Sequence, residues 1–197
     1  SKSLFLMNNH IPYLEEWLNL ALSGEFIDAQ NLYYDKLFDH IIENFTLKHV
    51  QVLKEGGVLF SMLGFSPEPI ILTAKLINPD THIIFTTNNR NMDNSILDRF
   101  LEDDYQMEYL ENEDFNVVYS ALKEKMILFP ESQIVVDITG GKKSMVAAAA
   151  IFGKDFGCKV VYVDFSDYIK ELRKPRPGSE VMTIVYDPNV NQPEIFL

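Results

Sequence analysis

The sequence is poor in the residues that crosslink a chain, bind metals or carry it through a membrane. Its single cysteine, Cys158, excludes an internal disulfide framework and favours a reducing, cytoplasmic environment. No apolar run reaches the roughly 18 residues of a membrane helix, so the sequence predicts no membrane-spanning segment. Zinc sites need clustered cysteine and histidine, and the four histidines lie far apart along the chain. We therefore predict neither a bound metal nor a cofactor.

Positive charge is also scarce. The 197 residues include 17 Lys and Arg against 29 Asp and Glu, which gives a formal net charge of -12. Proteins that bind duplex nucleic acid neutralise its phosphates with a basic face, so this composition argues against duplex binding. Any anion must be bound by a local site, because the overall field of the chain repels it.

The first 55 residues predict a helical hairpin. In "IPYLEEWLNLALSG" the leucines recur at helical spacing, and Gly24 ends the segment. A second amphipathic stretch runs from Phe26 to Phe45, and the short turn between the two makes them antiparallel neighbours. The hairpin is either a packing appendage or a connector or dimer arm.

Residues 56–197 predict a Rossmann-like α/β domain. Apolar strands such as "GGVLFSML" and "QIVVDIT" alternate with amphipathic helices such as "SPEPIILTAKLI", in which Ser66 is the expected N-cap and Pro67 the first helical residue. Such alternation gives a mostly parallel sheet flanked by helices. Ligands of these sheets bind beyond the carboxyl ends of the strands, where the strand order reverses.

Three predicted strand ends are polar and flexible, and the one in "VVDITGGKKSM" is the most informative. Gly140 and Gly141 let the backbone approach a ligand or take positive φ angles. We expect a helix over 142–156, whose first N–H groups and dipole favour an anion. Lys142 and Lys143 in its first turn cost roughly 0.3–1 kcal/mol unless an anion offsets them. The alternative is a glycine turn with two solvated lysines. Asp137 either orients the turn or contacts the ligand.

The strand ends together supply the predicted ligand-binding residues. These are Leu63, Gly64, Phe65, Ser66, Pro67, Glu68, Thr86, Thr87, Asn88, Asp137, Thr139, Gly140, Gly141, Lys142, Lys143, Ser144 and Met145. They do not form a P-loop, because Val136 stands where its first glycine belongs. A dinucleotide fingerprint and a G-x-S-x-G nucleophile elbow are absent too.

Two of these stretches resemble the CRISPR-associated Rossmann fold (CARF) domains. They are "SMLGFSPEPIILTAKLINP" after the first strand and "VVDITGGKKSM" after the fourth. The second is similar to a T-G-G-T-K-x-M motif, with Lys142 in place of the second threonine. The resemblance covers about residues 56 to 190 and leaves the helical hairpin unexplained.

The resemblance implies a homodimeric sensor of cyclic oligoadenylates, the second messengers of type III CRISPR antiviral defence. A cyclic tetra-adenylate has the symmetry to lie across a twofold axis and meet two copies of each turn. Sensors of this kind are usually joined to an effector. Because the chain begins at Ser1 and its first methionine is Met7, we expect an effector or membrane segment before it, which would tether an otherwise cytoplasmic domain.

Two alternatives remain open on the sequence. One is a metal-independent ring nuclease that cleaves the same messenger, with Ser66 positioning the ribose and Lys143 stabilising the charge of the transition state. The other is a nucleotide-binding Rossmann module unrelated to CRISPR defence.

Overall fold

The computed structural model describes residues 10–87 and 93–191, which divide into two compact units. The first contains residues 10–52 together with Asp164–Val181, and the second contains Leu53–Val163 and the chain from Met182 onward. The segment Asp164–Val181, assigned by the sequence to the second domain, thus groups with the N-terminal helices. The domain boundary between residues 55 and 56 stays a prediction.

The first unit confirms the N-terminal helical region. Its elements are α1 (Leu14–Leu22), α2 (Phe26–Leu32), a π-helical turn (Tyr33–Leu37), α3 (Phe38–His49) and the antiparallel two-residue strands β6 (Tyr168–Ile169) and β7 (Lys174–Pro175). Gly24, with φ of 78°, separates α1 from α2. Side chains such as Leu37, Phe38 and Ile41 are buried completely and form the core of this unit.

The second unit contains a six-stranded sheet in the order β3-β2-β1-β4-β5-β8. The strands are β1 (Val58–Met62), β2 (Thr81–Thr86), β3 (Gln106–Tyr109), β4 (Ile134–Asp137), β5 (Lys159–Phe165) and β8 (Glu180–Tyr186). The helices are α4 (Glu68–Ile77), α5 (Ser95–Leu101), α6 (Phe115–Met126) and α7 (Lys143–Asp155). The first five strands pair in parallel, which confirms the predicted Rossmann-like α/β fold.

The sheet is buried on both faces, as the continuous apolar strands require. On one face Phe60 and Val136 pack with Leu122 of α6 and Phe152 of α7. Ser61 points to the opposite face, because successive side chains of a strand alternate. Its Oγ lies 2.8 Å from Nε2 of His82, and burial lowers the pKa of His82 to about 3, so this histidine is neutral.

The strand order reverses between β1 and β4, which are neighbours although two strands and three helices separate them in the chain. This is the topological switch point, where open α/β sheets place their ligand sites. Within the described part of the chain, no helix is long and apolar enough to cross a membrane.

Candidate functional site

The turns that follow β1 and β4 lie against each other, backbone on backbone. An ideal Cβ built on Gly64 would lie 2.8 Å from the amide nitrogen of Gly141. A Cβ on Gly140 would lie 2.6 Å from the carbonyl oxygen of Met62 and 2.7 Å from the amide nitrogen of Gly64. Gly141 also has a φ of 94°, which side chains rarely adopt. The glycines are therefore required by the contact between the two turns, whether or not a ligand approaches them.

A cleft of about 260 Å³ opens beside these turns. It is lined by Leu63, Gly64, Phe65, Ser66, Pro69, Ile70, Thr87, Thr139, Gly140, Gly141 and Lys142. Most of the lining was predicted from the strand ends. Pro69 and Ile70 were missed, although their position in the first turn of α4, directly after the predicted Ser66–Glu68 stretch, was a usable signal.

The two lysines of the motif are placed differently. Helix α7 begins at Lys143, one residue later than predicted, and Lys142 precedes it with an extended backbone. Both side chains are exposed, but Lys142 lines the cleft and Lys143 does not belong to the lining. The first N–H groups of an α-helix have no intrahelical partner, and the side chain of Lys142, a donor only, does not cap those of α7.

Lys142 makes an ion pair at the mouth of the cleft. Its Nζ donates a hydrogen bond to Oε1 of Glu113, 3.1 Å away. Glu113 lies in the loop between β3 and α6 and was missed by the sequence reasoning, because nothing in the local sequence links it to a lysine 29 residues further on.

Asp137 stabilises the turn after β4 through hydrogen bonds with Thr139. Its Oδ1 accepts hydrogen bonds from the backbone N–H of Thr139, at 2.9 Å, and from the Thr139 hydroxyl, at 2.5 Å. The same hydroxyl oxygen accepts from the backbone N–H of Val163 at 2.8 Å. Complete burial raises the pKa of Asp137, and the hydrogen bonds from Thr139 oppose that shift. These contacts favour the interpretation in which Asp137 orients the turn.

The remaining predicted residues of the first turn lie at the start of α4. Helix α4 begins at Glu68, and Pro67 occupies the position before it with helical backbone angles. The expectation that Ser66 caps this helix is therefore wrong: the proline already takes that place, and no side chain at that place makes a cap bond. Ser66 instead lines the cleft.

Other predicted residues lie at the edge of the cleft or beneath it. Thr86 and Met145 are buried, while Ser144 is exposed. Phe65 lines the cleft and is 92% exposed, an unusual state for an apolar ring. Asn88 lies outside the described residues, so the structure adds nothing to that prediction.

A second cavity, of about 630 Å³, lies in the helical unit. Glu15 and Glu16 stand in its wall beside Arg176, which already pairs with Asp167 at 2.7 Å. It carries none of the predicted site residues. Within residues 10–87 and 93–191, no three His, Cys, Asp or Glu side chains are grouped closely enough to hold a metal ion.

Comparison with known proteins identifies one curated relative. A stretch of 81 residues is 40% identical to the CRISPR system endoribonuclease Csm6 of Thermus thermophilus. The match covers 39% of this chain and 18% of the relative, so this chain corresponds to a small part of that protein. No family model matches. The predicted resemblance to CRISPR-associated Rossmann fold domains is confirmed by the relative.

Three solved structures are similar to the chain at lower sequence identity. One is Enterococcus italicus Csm6 bound to cyclic hexa-2'-fluoro-hexa-dAMP, with a TM-score of 0.44 and 15% identity over 58% of this chain and 34% of that one. Another is Can2 from Sulfobacillus thermosulfidooxidans in complex with cyclic tetra-adenylate, with a TM-score of 0.47 and 16% identity over 59% and 35% of the two chains. A third is protein VC1899 from Vibrio cholerae, with a TM-score of 0.47 and 8% identity over 54% and 30%.

Proposed function

We propose that the cleft between the β1 and β4 turns binds a cyclic oligoadenylate, and that the chain acts as a messenger sensor in type III CRISPR antiviral defence. The observation that carries the proposal is the position of Lys142. It lines the cleft next to the start of α7, within the motif that resembles CARF domains. The 40% identical stretch shared with a CRISPR system protein supports the same assignment.

The phosphates of the ligand are assigned to Lys142 and to the first N–H groups of α7. This helix is 13 residues long, so its positive dipole end is well developed. Among the described residues that line the cleft, Lys142 is the one that carries a charge. A charge-assisted hydrogen bond to a phosphate contributes about 1.5–3 kcal/mol, which corresponds to roughly tenfold to a hundredfold in affinity.

The bases of the ligand are assigned to the apolar side of the cleft. The exposed ring of Phe65 offers a stacking surface, and stacking contributes about 1–3 kcal/mol per base. The neighbouring Ser66 hydroxyl can hydrogen-bond a ribose or a base edge. This combination of an aromatic face and a single cation suits nucleotides better than inorganic anions.

The size of the cleft supports a shared site. Its 260 Å³ is below the roughly 300–1,000 Å³ of pockets that enclose one drug-sized ligand, so one cleft would hold only part of a ring of four nucleotides. Two clefts related by a twofold axis would enclose a cyclic tetra-adenylate. We therefore propose a homodimer that binds one messenger and, on binding, regulates an effector attached to the sensor.

The proposal is tested by calorimetric titration of cyclic tetra-adenylate into native protein and three lysine variants. Lys142→Ala should lower the affinity at least tenfold, Lys143→Ala less, and Lys154→Ala, at the exposed far end of α7, should leave it unchanged. Binding should saturate at one ring per two chains. Equal affinity of Lys142→Ala and native protein would refute the site, and cleaved ring in the recovered ligand would identify a nuclease.

A further inference from the structure

The cation that lines the cleft makes an ion pair with a carboxylate. Lys142 Nζ lies 3.1 Å from Glu113 Oε1, and the two side chains are 66% and 30% exposed. A phosphate that reaches Lys142 therefore meets a carboxylate within a few ångströms of the same ammonium group. Two anions at one lysine repel each other, so the phosphate must displace the carboxylate or bind against its repulsion.

We propose that Glu113 is an autoinhibitory counter-ion of the cleft. Its carboxylate competes with a ligand phosphate for Lys142 and so lowers the affinity of the cleft for anions. The inference rests on the proposed function, since it concerns the same site. In the free protein the carboxylate occupies Lys142. A bound phosphate takes its place, and Glu113 turns toward solvent.

The geometry allows this exchange. Both side chains are partly exposed, and exposed ion pairs are weak because water screens them, so the pair opens readily. Glu113 belongs to the loop between β3 and α6 and is absent from the cleft lining, so it can leave Lys142 without disturbing the walls. The ion pair between Glu113 and Lys142 lowers the affinity for every anion by the same factor. A single phosphate is left with little net binding, whereas a ring of phosphates that also meets the N–H groups of α7 retains enough.

The chain supplies a matched control for the test. Glu111 lies in the same loop, is exposed and has the same charge. Glu113→Gln removes the charge but keeps an oxygen that accepts a hydrogen bond from Lys142, so the lysine stays in place. Glu111→Gln changes the net charge by the same amount but leaves the ion pair between Glu113 and Lys142 in place.

Calorimetric titration with cyclic tetra-adenylate at fixed ionic strength, on variants with unchanged melting temperature, gives the readout. Glu113→Gln should bind about two- to fivefold more tightly than native protein, the fold-change equivalent of an exposed ion pair, while Glu111→Gln should bind like native protein. In a Lys142→Ala background the gain from Glu113→Gln should fall to that of the Glu111 control.

The other possible results distinguish the inference from the proposed function. If native protein binds the ring and Glu113→Gln binds it equally or more weakly, Glu113 positions Lys142. The inference is then overturned, and the proposed function still stands. If both glutamine variants gain the same affinity, the gain comes from the change in net charge and the inference is overturned. If neither native protein nor Glu113→Gln binds the ring, the proposed function fails and this inference fails with it.

Discussion

Replacing Gly140 by alanine measures how closely the two turns of the site pack. Gly140 does not have a positive φ, so alanine meets no backbone strain there. Its Cβ would instead lie 2.6 Å from Met62 O and 2.7 Å from Gly64 N. Both are backbone atoms, which cannot rotate away as the end of a side chain can. The turns must separate, and the cost of the substitution is the cost of that separation.

Overpacking of this kind costs about 1–3 kcal/mol. For a chain of 150–250 residues each kcal/mol shifts the melting temperature by about 2–4 °C, so Gly140→Ala should lower it by about 2–12 °C. Thermal unfolding followed by circular dichroism measures the shift. Urea unfolding should show a lower midpoint with an unchanged slope, because the surface exposed on unfolding is the same.

Gly157→Ala separates steric overlap from backbone strain. Gly157 has a φ of 66° and nothing within 4 Å of an added Cβ, so its cost is the conformational penalty of about 1–2 kcal/mol alone. It lies outside the cleft and should leave ligand affinity unchanged, whereas Gly140→Ala should weaken binding as the turns part. A melting temperature for Gly140→Ala within about 1 °C of native protein would show that the turns are not in contact.

Substitutions at three further residues test other contacts of the structure. Burial raises the pKa of Glu180 to about 7 from 4.5, so its stabilising contribution is complete below about pH 4.5 and is lost as the pH rises through about 7. Glu180→Gln should therefore stabilise the protein more at pH 8 than at pH 4.5, by up to about 3 kcal/mol in urea unfolding, and an equal effect at both would contradict the burial argument. Asp137→Ala should cost more stability than Asp137→Asn, since only asparagine keeps an oxygen for the Thr139 N–H; equal melting temperatures would count against it. Phe65→Ala should weaken messenger binding by about 1–3 kcal/mol with little change in melting temperature, and normal binding would remove the stacking role.

The fold of the second unit could be predicted because every strand and helix carries its own signal. Strands β1, β2 and β4 are short apolar runs, and α4, α6 and α7 have apolar faces, so local pattern and global topology agree. The grouping of Asp164–Val181 with the helical unit could not be predicted. Its strands β6 and β7 have two residues each, too few for any periodicity.

The position of the site followed from topology, while its electrostatics did not. Parallel strands bring their carboxyl ends to one edge of the sheet, which is why residues as distant as Gly64 and Gly141 could be predicted as neighbours. Which lysine lines the cleft depends on where α7 begins, and a shift of one residue separates Lys142 from Lys143. The partner of Lys142 depends on a loop from another crossover, which no local pattern reveals.

The departure from the CARF-like motif and the newly found ion pair explain each other. Lys143 matches the motif and stays outside the cleft, whereas Lys142 replaces a threonine and lines it. A threonine there would need no counter-ion, and Glu113 would then have no cation to pair with. Lys142→Thr alone should consequently bind cyclic tetra-adenylate as tightly as the double variant Lys142→Thr, Glu113→Gln. Tighter binding by the double variant in calorimetry would show that the carboxylate repels the phosphate directly, and its effect would then not depend on Lys142.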